Sequence, residues 1–599
     1  MTRVERMTTA VKPVSKVVGR KQTPRTVGQQ HQAVVIMLFI SAFLLGGIGT
    51  RLGYLQLVEG TQNQALAENN RVRLIPRSPV RGTLFDRRGR ILGSSRLSHS
   101  AYVWPLAQRY ETWDTTVTYL AKILNLPPEE IRQPVEAADY NDPTRVRIAR
   151  DLTPAQITAI KEYGNLLQGV DVDIEHLRHY PHKQLAAHVL GYTGELNAEE
   201  LEERREDGYR LGDIVGQMGV EESYETLLRG EWGGQQVEVD GAGKVVRILG
   251  QKSSKAGQDL MLTLDIDLQK AAEAALANRR GAVVAMNPNN GEVLAIASYP
   301  TFDPNIFSSR ITEETWQKLQ GQGNPFVNRA LRGFPPASTF KVVTATAGME
   351  SGKYPPDTVL PTMAYLVVGG TAFGEWNRAG FGPMGYVRAM AWSSNTFHGQ
   401  IGRGVGGPTL IDWARRYGFG SPTDIELKSE SSGLIADDAW KREQFDWEWT
   451  VGDTVNMSIG QGFTQATPLQ VAVMFSVPAN GGYRVTPHLI KDDRGADNWR
   501  ESMNLKPETI KILRDGLHAV VTSGTGNALN VGGIPSAAGK SGTAETGGNR
   551  PSHAWFGGYA PADKPEIVVV AFIEHAGGGG GKVAGPVVAK VLSAYFANK

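Results

Sequence analysis

Cysteine is absent from all 599 residues. No disulfide, cysteine-ligated zinc site or thiol nucleophile is therefore available. Net charge is almost absent as well: 63 Lys and Arg against 61 Asp and Glu leave +2. The imbalance that exists lies at one end. Residues 1–28 hold seven basic groups (Arg3, Arg6, Lys12, Lys16, Arg20, Lys21, Arg25) and one acid, Glu5, so the remaining body is mildly acidic. Such a body argues against nucleic acid as the main partner. Internal repeats are lacking, and so is any second apolar run long enough to cross a bilayer. With 41% hydrophobic and 21% charged residues, the composition excludes whole-chain disorder and supplies a sizeable core.

One long apolar run is present. No residue from Gln29 to Thr50 is charged, and Ala33–Gly49 is almost wholly apolar. This reaches the ~20 residues of a membrane-spanning helix. The basic segment before it is expected to be a polar, unstructured tail held in the cytoplasm. A cleaved secretory signal is the alternative, but the run exceeds a usual signal core and no A-x-A site follows. Both readings put the body outside the cytoplasm. Ala42/Gly46 and Gly49/Gly53 are small pairs at four-residue spacing, which would let another membrane helix approach.

Beyond residue 50, a helical extension and then a strand are expected over 51–75. Arg71–Leu92 reads as short strands and turns. Residues 112–165 read as helical, with Pro127, Pro128 and Pro154 near helix starts. Gly212–Gly257 is glycine-rich and reads as a linker. From Asp259 a last domain is expected. Leu260–Leu264 alternates like a strand, Asp265 caps a helix over Leu268–Ala277, and Ala282–Met286 and Glu292–Ser298 form a hairpin. Glu566–Phe572 reads as a strand and Val583–Phe596 as a closing helix. The pattern implies an α/β layer domain with a largely antiparallel sheet.

Three short motifs carry chemistry. Gly333–Lys341 reads GFPPASTFK. Two prolines pre-set a helix start, which places Ser338 in the first turn with Lys341 three residues on, on the same face. Removing the Ser338 proton requires a neutral amine, which burial and a second cation would provide. One S-x-x-K arises by chance in a chain this long, and the bland alternative is a capping serine. Ser393-Ser394-Asn395 offers a hydroxyl and an amide two residues apart, for proton passage and for fixing a carbonyl; an N-capping cluster is its bland alternative. Lys540-Ser541-Gly542-Thr543 offers a cation for keeping Lys341 neutral, two hydroxyls for a carboxylate, and a glycine that admits a neighbouring backbone. Its bland alternative is a turn before a strand.

In this order the three motifs resemble S-x-x-K, S-x-N and K-[ST]-G of the penicilloyl-serine transferases. RGTLFDRRGRIL (81–92), HYPHKQLAAHVLGYTGEL (179–196), GVEESYETLLRGEWG (219–233), GAVVAMNPNNGEVLAIASYPTFDPN (281–305), NRA (328–330) and GDTVNMSIGQGFTQATPLQVA (452–472) extend the resemblance over nearly everything after residue 50. They look like a class B, monofunctional penicillin-binding protein. HYPHKQLAAH and the last stretch are most similar to the elongation-specific type, penicillin-binding protein 2. Two positions depart from the pattern: Ala337 replaces the glycine expected before the nucleophile, and Asn395 stands where the elongation type often has aspartate.

The resemblance implies an α/β transpeptidase domain of the penicillin-binding/β-lactamase type, a mainly antiparallel sheet flanked by helices. A mixed α+β pedestal and one N-terminal transmembrane helix would precede it. The implied boundaries are 1–28 cytoplasmic tail, 29–50 membrane helix, 51–257 dimerisation-type pedestal and 258–599 transpeptidase domain. Carried over by position, Ser338 is the acylated nucleophile and Lys341 its base. Ser393 relays a proton to the leaving amine, Asn395 aligns the donor, and Lys540 tunes the electrostatics. Ser541, Gly542 and Thr543 line the carboxylate site, and the N–H groups of Ser338 and Thr543 form an oxyanion hole. The implied reaction attacks a D-Ala-D-Ala stem, releases D-Ala and transfers the acyl group to a neighbouring stem. β-Lactams would acylate Ser338. A SEDS-type glycosyltransferase would be the membrane partner and supply the polymerising activity that the pedestal lacks. No cofactor is implied. The histidines of 175–188 (His176, His179, His182, His188) lack a supporting carboxylate pair, so no metal is expected. Four alternatives stay open: a division-specific transpeptidase, a D,D-carboxypeptidase, a β-lactamase-type hydrolase, and a non-catalytic activating scaffold.

Overall fold

The structure is a computed structural model that describes residues 27–61, 72–140, 145–210, 212–239, 245–492 and 494–599. The basic segment expected to be cytoplasmic lies outside the described residues, apart from 27 and 28. The chain divides into two compact units, Met1–Arg73 with Val237–Arg247 and Leu74–Gln236 with Ile248–Lys599.

The first unit carries helix α1 (Val27–Gly53), which runs into a single π turn over Tyr54–Val58. His31–Val58 has a mean hydropathy of 2.3 in its most apolar window, and none of that window is buried. Phe39, Phe43 and Leu45 stand exposed. An exposed apolar cylinder of this length matches a bilayer, where every backbone bond is satisfied within the helix. A side chain added at Gly46, Gly49 or Gly53 would meet nothing within 4 Å.

In the second unit the pedestal is built on strands β1 (Leu84–Phe85), β2 (Ile91–Val103), β3 (Val146–Ala149) and β4 (Val170–His179). Long β2 pairs antiparallel with β1, β3 and β4. Helices α2 (Trp113–Leu124), α3 (Pro128–Glu136) and α4 (Pro154–Glu162) cover it. The prolines begin α3 and α4 as expected, but β3 interrupts the stretch read as helical. Val146 and Ile148 pack there against the helix cluster.

The 212–257 stretch is no linker in its described residues. It forms the helix Gly219–Ser223, whose Glu221 is buried between Arg81 and Arg178, with nitrogen–oxygen distances of 2.6 Å to each. Arg81 also reaches Glu225 at 2.7 Å. The glycines that suggested flexibility serve tight geometry instead: Gly219 and Gly230 have φ of +65° and +71°.

The catalytic-type domain begins with β5 (Leu260–Met261), which pairs parallel with β1 of the pedestal. Helix α5 (Ile266–Leu276) is capped by Asp265, whose side chain accepts from Asp267 and Leu268 N–H. The main sheet contains β6 (Gly281–Met286) and β7 (Val293–Tyr299), the expected hairpin. Next in chain order come helix α6 (Lys341–Glu350) and the small hairpin β8 (Tyr365–Val368) and β9 (Thr371–Gly374). Helices α7 (Tyr386–Ala391), α8 (Asn395–Val405), α9 (Pro468–Asn480) and α10 (Pro507–Thr522) follow. The chain ends with β10 (Ala538–Ala544), β11 (His553–Ala560), β12 (Ile567–Ile573) and α11 (Gly585–Ala597). The sheet order is β7-β6-β12-β11-β10, antiparallel throughout.

Both faces of this sheet are buried, which is why its strands read as unbroken apolar runs rather than alternating ones. Val283, Ala285, Val569 and Ala571 face Leu268 and Ala272 of α5 and Val588 and Leu592 of α11. Val284, Val568, Val570 and Phe572 face the cluster containing Val343 of α6 and Phe475 of α9. Helix α9 lies so close that a Cβ at Gly557 would sit 2.1 Å from the Phe475 ring. Strand β10 ends the sheet, so one of its edges is free to face the site.

Candidate active site

The first motif is pinned before its helix begins. Phe334 and Ala466 exchange backbone hydrogen bonds at 2.9 and 2.8 Å, and Ala337 N–H donates to Gly460 O at 2.8 Å. The chain then makes a 3₁₀ turn over Ala337–Phe340, and α6 starts only at Lys341. Ser338 therefore sits in the tighter turn rather than in the first α-helical turn. Ala337, Thr339 and Phe340 are buried and Ser338 is half-buried, so the turn presents Ser338 alone. Ala337 has φ of +50°. A left-handed non-glycine residue costs about 1 kcal/mol, which is the physical reason for glycine in the family pattern.

Strand β10 lies against this turn. A Cβ at Gly542 would stand 3.2 Å from Pro336 O and 3.3 Å from Thr339 Cγ2. Strand alternation places Lys540 and Gly542 on one face and Ser541 and Thr543 on the other. Lys540 is fully buried. Ser541 Oγ bonds Thr525 Oγ1 at 2.7 Å, and Thr543 Oγ1 accepts from Gly580 N–H at 3.1 Å.

The second motif supplies both a cap and chemistry. Ser394 is the N-cap of α8 and accepts from Phe397 N–H at 3.2 Å. Ser393, with φ of +57°, turns the chain between α7 and α8. Its hydroxyl meets both lysines: Lys540 Nζ at 2.8 Å and Lys341 Nζ at 3.3 Å. Lys341 Nζ also donates to Ser393 O and to Asn395 Oδ1, each at 2.7 Å, and Lys540 Nζ donates to Ser541 O at 2.9 Å.

Lys341, Ser393, Asn395 and Lys540 thus form one bonded cluster. Ser338 lies in the 3₁₀ turn that leads into Lys341, and none of the cluster's hydrogen bonds reaches its Oγ among the described residues. A neutral amine has two N–H groups and one lone pair. The two short bonds of Lys341 go to oxygens that only accept, which leaves the lone pair for a hydroxyl proton.

Burial pushes Lys341 down to about 7, against the pull of the Glu375 carboxylate. Lys540 is held well below the ordinary lysine value by burial and then by the Lys341 charge. Desolvation is the larger effect on both amines, and the Glu375 carboxylate favours a cation on Lys341.

Sequence reasoning missed Glu375, His398 and Thr525. Glu375 is buried and receives Asn395 N–H at 3.1 Å and Ser394 Oγ–H at 2.6 Å. It follows a hairpin with no motif to mark it. His398, on α8, places Nδ1 2.8 Å from Ser394 O. Burial, then Lys341, hold it well below the ordinary histidine value, so it carries no charge near neutral pH. Of the four histidines in 175–188, His188 is buried, with Nε2 2.7 Å from Pro325 O.

The arrangement fits acyl transfer: a presented hydroxyl, buried amines of lowered basicity, and a second hydroxyl between them. Two family models match the chain, the penicillin binding protein transpeptidase domain over residues 281–593 and the penicillin-binding protein dimerisation domain over residues 76–262. The peptidoglycan D,D-transpeptidase MrdA of Acinetobacter baumannii is 34% identical over 90% of this chain and 84% of its own. MrdA of Escherichia coli K12 is 30% identical over 93% of each chain. Among solved structures, penicillin-binding protein 2 of Helicobacter pylori in complex with MreC is 27% identical, with a TM-score of 0.79 over 88% of this chain and 99% of that one. A chain from a structure described as the structural coordination of polymerization and crosslinking by a peptidoglycan synthase complex is 32% identical. Its TM-score is 0.70, over 95% of this chain and 99% of that one.

Proposed function

Since the chain belongs to the class B penicillin-binding proteins, carrying both the transpeptidase and the dimerisation domain, we propose that Ser338 is its acylated nucleophile and that the Lys341–Ser393–Lys540 cluster moves the protons. The enzyme is a peptidoglycan D,D-transpeptidase of the elongation type. The observation that carries the assignment of roles is the bracketing of Ser393 Oγ by two buried amines, at 3.3 and 2.8 Å.

Lys341 takes the Ser338 proton as Oγ bonds to the carbonyl carbon of the penultimate D-Ala. Ser393 passes a proton to the departing amine as the C–N bond breaks, and takes one in turn from the lysine pair. D-Ala leaves and the stem remains as an ester on Ser338. An amine of a neighbouring stem then attacks the ester, giving up its proton through the same route, and Ser338 recovers its hydrogen. The N–H groups of Ser338 and Thr543 receive the oxyanion, a contribution of about 3 kcal/mol per donor in serine enzymes. Ser541 and Thr543, on the face of β10 opposite Lys540, take the terminal carboxylate, and Asn395 aligns the donor. In a β-lactam the broken amide stays tethered, so the amine cannot depart and the ester persists.

The anchor is α1, with the N-terminus in the cytoplasm and the body outside. The seven basic residues before Gln29 support this orientation. The domains divide at 28/29, 50/51 and 257/258. A SEDS-type glycosyltransferase is the partner, and the open small-residue face of α1 at Gly46, Gly49 and Gly53 supports a membrane contact with it.

The test of function uses the full chain in detergent with uncrosslinked glycan strands bearing pentapeptide stems. Crosslinked dimers and free D-Ala, both abolished by penicillin, are the expected products. Release of D-Ala without dimers would establish a carboxypeptidase instead.

A further inference from the structure

The turn that presents Ser393 and Asn395 is not self-supporting. Ser393 lies in the left-handed region, with φ of +57°, a conformation that a non-glycine residue holds only when its surroundings fix it. The local bonds are those of any helix end: Ser393 N–H to Met390 O at 3.1 Å and Ser394 N–H to Ala389 O at 2.9 Å. Beyond the bonds from Lys341 and Lys540 to Ser393, support comes from a separate hairpin, β8–β9, and from the residue that follows it.

That residue is Glu375. Its Oε1 accepts from Asn395 N–H and from its neighbour Trp376 N–H, both at 3.1 Å. Its Oε2 accepts from Ser394 Oγ at 2.6 Å, and from Thr396 N–H and Thr396 Oγ1, each at 3.1 Å. Four of these five donors belong to the three consecutive residues that follow Ser393. The preceding carbonyl, Gly374 O, accepts from Asn395 Nδ2 at 3.0 Å. That bond turns the Asn395 amide so that Oδ1 faces Lys341. Glu375 is only 6% exposed, and at the N-terminus of α8 its charge lies where the helix dipole favours an anion.

We propose that Glu375 is a positioning residue of the acyl-transfer site, its carboxylate fastening the turn that presents Ser393 and Asn395 to the two lysine amines. The inference rests on the reading of Ser338, Lys341 and Ser393 given above. Glu375 hydrogen-bonds to Trp376, Ser394, Asn395 and Thr396, and to none of Ser338, Lys341, Ser393 or Lys540 among the described residues. It acts through the turn, and through the field of its charge at Lys341.

The second route separates this role from simple structural support. The titratable groups that face Lys341 are Glu375 beyond β9, His398 on α8 and Lys540 on β10. His398 is neutral in the working range. The charge of Glu375 favours a cation on Lys341. Removing that charge makes Lys341 less basic, so its neutral form persists to lower pH. The acid limb of the acylation profile, which reports the base of the free enzyme, therefore moves down.

The test measures second-order acylation by a fluorescent penicillin across pH 5.5–9, on the full chain in detergent, with thermal unfolding as the control for folding. In Glu375→Gln the rate at the optimum falls by roughly tenfold or more and the acid limb moves to lower pH. In Glu375→Asp, which keeps the charge, the limb stays in place and part of the rate returns. An unmoved limb in the Gln variant overturns the proposal, whatever the rate. Should the Gln variant fail to fold, Ser394→Ala removes the 2.6 Å donor to Glu375 together with the α8 cap on Phe397 N–H, while the Glu375 charge stays in place. It must slow acylation several-fold with the limb unmoved, and a parental rate overturns the proposal. Ser338→Ala run alongside reports on the nucleophile independently. If it still labels, the reading of the site fails irrespective of Glu375.

Discussion

Lys341 and Lys540 share one hydroxyl: their amines stand 3.3 and 2.8 Å from Ser393 Oγ, and both side chains are fully buried. Two buried cations on one hydroxyl are costly, so the two amines are not both charged. Arginine distinguishes their roles, because it stays protonated. Lys341→Arg removes the base, and acylation by penicillin falls by about 100-fold or more. Lys540→Arg leaves the Lys341 amine in place and sets a permanent cation beside it. Acylation is retained in part, and its rise with pH begins lower. Equal losses in stopped-flow acylation would contradict the division of roles.

The same lysine sets a pH dependence with a defined sign. In the role proposed for it, Lys341 acts as a base only when neutral, so acylation should rise as pH passes through about 7 and then level. Stability follows the same group. Its folded value, about 7, lies below the ordinary 10.5. Between these the unfolded chain binds a proton that the folded one lacks, so the Lys341 contribution to stability rises with pH across that window. Chemical unfolding of Lys341→Met between pH 7 and 10 should be flatter than that of the parent.

The pedestal has its own buried charge cluster. Glu221 bonds Arg81 and Arg178 at 2.6 Å each and receives Tyr180 Oη–H at 3.2 Å. Glu221→Gln leaves two buried guanidinium groups under-compensated, a loss of about 3–5 kcal/mol. Thermal unfolding of the purified chain should show it as a lower midpoint, with penicillin labelling intact below that midpoint.

Topology is read from the uncharged run after seven basic residues. Protease added to intact spheroplasts should digest the body and spare a tag at residue 1. Protection of the body would reverse the orientation.

The legible parts of this molecule were those whose signals are local. Asp265 announces α5 because a cap needs only its own next three residues. The β6–β7 hairpin shows in two apolar runs flanking Pro288–Gly291. Lys341, Ser393, Asn395 and Lys540 were found by spacing within short motifs, and they meet in space. Glu375 was not legible, because its importance lies in bonds to residues some 20 positions away, made across a hairpin that nothing in the sequence marks as part of the site. The 212–257 stretch misled for a related reason. Its glycines signal positive-φ turns as readily as flexibility, and only the burial of Glu221 decides between them. Strand β3 was hidden because four residues are too few for a period to show among helices.

The central claim is that Ser338 carries the acyl group. The direct measurement is mass spectrometry of the full chain after reaction with penicillin, followed by peptide mapping of the adduct. A single penicilloyl addition on the peptide containing Ser338, lost in Ser338→Ala while the thermal unfolding midpoint is kept, is the predicted result. A stable adduct in Ser338→Ala, or one mapped to Ser393 or Ser541, would contradict the account.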